Sequence, residues 1–243
     1  GEIVRPKASI GILFGRDSAK VVLEVEDLET ATTEFRYGGN RERLPDEVRM
    51  GLAAHVAVWD TLIAVANKAG FEIDAFTTDG VLVRRISLDS HRRPLTAPMR
   101  SALVAREVDA ARSSTEQGIS LGEVRRRAME APTADSLQAI GGLFPAADAG
   151  LWVLDQIAPG EDGWAATLLN REGIPVGRLM SPESGRPVSF GREHVTTISK
   201  DDDGLVRLSV YRIHFPAGAG ATSTSQTRST LRRQGLDSGP PIR

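Results

Sequence analysis

The chain has 243 residues, 30 lysines and arginines against 32 aspartates and glutamates for a formal net charge of -2, and a hydrophobic content of 40%. That length and apolar content suffice for one substantial core or two small ones, and the balanced charge argues against a dedicated non-specific DNA binder, which needs a strong positive field. The absence of cysteine excludes disulfides, thiolate nucleophiles and cysteine-ligated zinc or iron–sulfur centres.

In chain order, residues 9–14, 19–26 and 30–37 read as three antiparallel strands. They are rich in β-branched residues and are bounded by turn signals, including Gly38-Gly39-Asn40. A long helix is expected over residues 45–70. Pro45 suits its first turn, and Asp46 and Glu47 place negative charge beside the unpaired amides there. Leu52, His55, Val56, Trp59, Ile63 and Ala66 recur at helical spacing, and Lys68 and Gly70 supply the stop. Residues 71–76 and 81–86 then form a strand pair around Thr77-Thr78-Asp79-Gly80. Residues 1–94 thus read as an α+β region in which the helix covers an antiparallel sheet.

Residues 95–149 read as a helical connector or subdomain, with helices over 99–111, after a capping box at Ser120 and Glu123, and over 134–143. Residues 150–216 return to short strands separated by turn signals, which implies an antiparallel sheet or small barrel. Residues 217–243 carry almost no apolar side chains and read as a basic, disordered tail. The expected fold class is therefore α+β: an N-terminal antiparallel sheet under a long helix, a helical middle section and a C-terminal antiparallel sheet or barrel.

The order β-β-β-α-β ending in Thr78-Asp79-Gly80 resembles the opening of a ribonuclease-H-like fold. That resemblance implies a metal-dependent nuclease with Mg²⁺ or Mn²⁺ held by carboxylates. Asp79 would take the position at the end of the fourth strand and Glu47 the helix position. Residues 9–14 contain no acid, which leaves Asp17 in the following turn. His55 reads as a packed structural histidine and His91 as a loop residue. His194 and His214 fall in strands expected to pair across residues 201–204, roughly opposite each other, and constitute the alternative metal site. Glu193 does not complete it, because consecutive strand residues face opposite ways. The run Asp201-Asp202-Asp203-Gly204 lacks the later ligands of a calcium loop and reads as an acidic turn.

Arginines are the remaining candidates. Arg92 and Arg93, Arg125, Arg126 and Arg127, and Arg228, Arg232 and Arg233 in the tail can contact an acidic protein surface or phosphate. Without a coherent catalytic set, the reading is a non-enzymatic binding or assembly protein without a cofactor, a subunit or accessory factor of a larger complex. Its expected partners are another protein or further copies of the chain, with nucleic acid as a further candidate. No stretch reaches the length of a membrane span and no signal-peptide pattern opens the chain, so the expectation is a cytoplasmic protein with no membrane partner.

Overall fold

The computed structural model describes residues 2–14, 18–37, 40–89, 93–113, 120–181, 185–200, 205–214 and 228–233. Strands β1 (Ile3–Val4), β2 (Lys7–Phe14), β3 (Ser18–Glu26), β4 (Thr30–Tyr37), β5 (Asn40–Glu47), β6 (His55–Trp59), β7 (Leu62–Ala66), β8 (Phe71–Phe76), β9 (Leu82–Leu88) and β10 (Arg93–Pro94) come first. Helices α1 (Ala97–Ser113) and α2 (Leu121–Glu130) follow. The rest is strand: β11 (Ser136–Leu137), β12 (Ile140–Pro145), β13 (Leu151–Asp155), β14 (Trp164–Leu169), β15 (Pro175–Ser181), β16 (Arg186–Phe190), β17 (His194–Lys200), β18 (Val206–His214) and β19 (Arg228–Arg233).

The expected long helix does not form. Pro45, Asp46 and Glu47 belong to β5, at the edge of the β1-β4-β5 sheet, where a proline is tolerated. His55 to Ala66 is a β-hairpin in register from His55↔Ala66 to Trp59↔Leu62. A spacing of four, as in His55 and Trp59, is a multiple of two as well as about one helical turn, so that pair fits either periodicity, whereas Ile63 lies past the turn and faces the opposite side of the sheet. The β-branched Val56, Val58, Ile63 and Val65 and the two-residue loop decide for strand. In that loop Asp60 has φ +55°, a left-handed conformation that aspartate tolerates. The middle of the chain is corrected too: residues 134–143, expected as a helix, instead contain β11 and the start of β12. The fold is mostly β, with only two α-helices among the described residues.

The sheets pack face to face as four layers. The β2–β3 pair is the first, and its Ile10, Ile12, Val22 and Val25 cover Ile63, Val65 and Phe76 of the four-stranded sheet β6-β7-β8-β9. The other face of that second layer places Trp59, Ala64, Ala66, Ile73 and Ala75 against Ile140, Leu143, Leu151, Val153 and Leu169 of β12–β15. The far side of this third layer, through Trp152, Leu154, Trp164 and Leu179, meets Phe190, Val195, Tyr211 and Ile213 of β16–β18. Phe190 stacks on Trp152 at 5.0 Å and meets Trp164 edge-on at 5.9 Å. Strand β19 joins the last two layers into one eight-stranded sheet by pairing parallel to β15 and antiparallel to β18. Residues 228–233 are therefore strand, not disordered tail; the rest of 217–243 lies outside the described residues.

The helices form a satellite to this stack. Leu103 of α1 packs with Leu95, Leu137 and Ala158. Ser120 caps α2 by accepting a hydrogen bond from the Glu123 amide at 3.1 Å, which satisfies one of the free amides of its first turn. Arg49 ties both helices to the sheets: it pairs with Glu107 of α1 at 2.6 Å and donates to the Ala128 carbonyl of α2.

Trp59 is the centre of the second layer. Its side chain is 1% exposed, its indole N–H donates to the Ala149 carbonyl at 2.9 Å, and the Arg84 guanidinium lies over the ring at 5.2 Å. Replacing Trp59 with Ala removes the ring and leaves that carbonyl without its donor. The expected loss is about 3–5 kcal/mol, measured by equilibrium denaturation; a loss below about 1 kcal/mol would contradict this placement.

Candidate functional site

The acidic residues of the nuclease reading are scattered. Asp79 lies in the β8–β9 turn, where the Thr77 hydroxyl accepts hydrogen bonds from the Asp79 and Val81 amides. Its side chain is 79% exposed, and it meets Lys20 of β3 at 3.5 Å in a solvent-exposed contact between the first and second layers. Gly80 follows with φ +81°, and a Cβ there would stand 2.4 Å from the Val22 carbonyl oxygen, so only glycine fits the turn beneath β3. Glu47 ends β5, opposite Thr30, on an exposed strand rather than a helix. Asp17 lies outside the described residues. Without the helix, the ribonuclease-H-like order is lost. Among the described residues no group of three or more His, Asp or Glu stands together in a way that could hold a metal ion.

The histidines resolve individually. His194 pairs with Arg212, and His214 pairs with Thr230 of β19, so the two are offset by two residues instead of lying opposite. His91 lies outside the described residues. His55 opens β6 and is largely enclosed. Burial, aided by the charge of Arg186, lowers its pKa despite a hydrogen bond to the Ile140 backbone and the nearby Asp27.

Several of the candidate arginines are already paired. Arg126 bridges Glu123 and Glu130, and Arg127 also bonds Glu123, within the exposed face of α2. These two guanidinium groups hold the Glu123 carboxyl down at about 2. Arg125 shares that helix and is exposed. Arg93 pairs β10 with Leu137 of β11 and meets Glu161 at 2.5 Å. Arg92 lies outside the described residues. The backbones of Arg228, Arg232 and Arg233 stand in β19, opposite Arg178, Arg212 and Tyr211 respectively.

Two features were not singled out from the sequence. One is the outer face of the fourth layer. Val195, Tyr211 and Ile213 point inward, whereas Val206, Leu208 and Val210 are 60%, 67% and 42% exposed, and Val188 of β16, beyond β17, is exposed as well. The alternation along β18 was legible; which of its faces is covered was not.

The other is a cleft of about 270 Å³ between the second and third layers, near the β13–β15 end of their seam. Asp155, Thr167 and Arg178 line it from the face that elsewhere buries Leu151 and Val153. Arg178 reaches Asp155 at 2.5 Å and the Thr167 hydroxyl at 3.1 Å. Burial raises the Asp155 pKa, and the charge and hydrogen bond of Arg178 and the charge of Arg93 only partly offset that. A desolvated carboxylate beside a guanidinium in a cleft marks a candidate binding position.

Compared with known protein families and with curated proteins, the sequence matches none. No helix among the described residues is long and apolar enough to cross a membrane.

The enclosed His55 generates a pH prediction. The unfolded chain binds a proton at the ordinary value of 6.5, whereas the folded chain resists it. Stability is therefore undiminished above that value and falls as pH drops below it, levelling off only below the folded-state pKa. Denaturation at a series of pH values between about 7 and about 5 should show a shallower decline for His55→Gln than for the parent. Identical slopes would show that His55 takes up its proton equally in both states.

Proposed function

We propose that the protein is a binding or assembly protein that associates with a second copy of itself through the outer face of β16–β18. The observation carrying this reading is the exposed apolar row Val206, Leu208 and Val210 along β18, with the half-buried Ile198 of β17 opposite Leu208. Single exposed apolar residues are ordinary, but three on one face of a single strand, with Ile198 of β17 opposite the middle one, favour a covering surface. The chain itself supplies the precedent: each of the three inner seams covers such a row with another sheet. A second copy presenting the same face gives a two-fold, self-complementary contact, the commonest symmetric arrangement.

Sedimentation equilibrium tests the reading. The full chain should dimerise with rising concentration, and Leu208→Lys with Val210→Lys should hold it at the monomer mass. Both positions are solvent-exposed in the single chain, so the variant's melting should change little. A parent that stays monomeric at its highest soluble concentration, or a variant that dimerises equally well, would exclude this face as the self-association surface.

A further inference from the structure

The cleft between the second and third layers lies on the opposite side of β12–β15 from the proposed contact face. Its composition is dipolar. Phe71, Leu88 and Leu137 line it with apolar surface, while Asp155 and Arg178 place one negative and one positive group on its wall, and Asp89 adds a carboxylate. The pair is not fully used. Arg178 has five N–H donors, of which two are bonded, one to Asp155 and one to Thr167, leaving three without a partner among the described residues. The Asp155 Oδ1 atom likewise accepts no hydrogen bond there, although burial penalises its charge. Arg93, at the same cleft, is committed to Glu161 and the Gln156 carbonyl.

The size of the space limits the ligand. A volume of about 270 Å³ lies just below the ~300–1,000 Å³ typical of drug-sized ligand pockets, so a small molecule suits it. A simple anion would meet Asp155 and Asp89, and a simple cation would meet Arg178 and Arg93. A molecule carrying both charges on adjacent atoms meets neither conflict.

We propose that this cleft binds a free α-amino acid with an apolar side chain. The carboxylate takes the open N–H groups of Arg178, the ammonium donates to Asp155 Oδ1 with Asp89 adding attraction, and the side chain lies on Phe71, Leu88 and Leu137. Charge-assisted hydrogen bonds make the loss of either ligand charge worth about tenfold or more in affinity.

Calorimetric titration of the full chain tests this with L-leucine, L-phenylalanine, 4-methylpentanoate, which lacks the ammonium, and isoamylamine, which lacks the carboxylate. Leucine or phenylalanine should bind, and both single-charge analogues should bind at least about tenfold more weakly. Arg178→Gln should abolish the binding. Because that change leaves Asp155 buried without its partner, Asp155→Asn with Arg178→Gln is melted and titrated in parallel; it leaves no lone charge and should fold yet fail to bind. Equal binding of 4-methylpentanoate would overturn the proposal in favour of a plain anion site. It would be overturned equally by unchanged binding in the folded double variant, or by no heat with either amino acid at tens of millimolar.

Discussion

Two strands that are apolar on both faces hold the stack together. In β7, Ile63 and Val65 face the first layer while Ala64 and Ala66 face the third. In β13, Leu151 and Val153 face the second layer while Trp152 and Leu154 face the fourth. A strand buried on both sides reads as an unbroken apolar run, and residues 62–66 and 151–154 read that way. Once these strands are sandwiched, a sheet is required on each side of them, and the four-layer order follows. Small residues set the fit: Ala57, Ala64, Ala66 and Ala75 leave room at the seam for Trp59 and Ile73, which are almost wholly enclosed.

The polar groups at the margins of the layers show how burial and pairing compete. Asp74 of β8 and Asp155 of β13 are both penalised by desolvation and both bond an arginine. Their carboxyls nevertheless shift in opposite directions. Asp74 has both Arg85 and Lys68 on it, so pairing outweighs burial and its pKa falls. Asp155 has only Arg178 in direct contact, so burial wins. That difference separates an ion pair supported by two cations from a cleft pair with unused hydrogen-bonding capacity.

Two of the candidate arginines are engaged within their own helix. On α2 the i,i+3 and i,i+4 spacings bring Glu123 and Glu130 to Arg126 and Arg127, so their charge is largely satisfied within one helix. Arg171, in the turn after β14, meets Asp60 in the β6–β7 loop at 2.7 Å and secures the second layer to the third. Surface apolarity, which local composition masks, is the more distinctive feature of the outermost layer.

Much of the strand content was legible in the sequence. Residues 9–14, 19–26, 30–37 and 71–76 read as strands and are occupied by β2, β3, β4 and β8 to within a few residues, and the short strands expected over 150–216 are β13 to β18, because β-branched runs and Gly or Asp turns are local signals. The Ser120 cap was equally local. The hairpin at residues 55–66 was not legible as such, since residues spaced by four satisfy both periodicities and only pairing with Phe71–Phe76 and packing on both faces select the strand. The candidate sites depended still more on three dimensions. Asp155, Thr167 and Arg178 come from three strands, and neither their shared wall nor the uncovered side of β18 has a signature in chain order. Local sequence set where the chain extends and turns; the tertiary structure decided which faces meet, because a strand's alternation marks two faces without naming what will cover either.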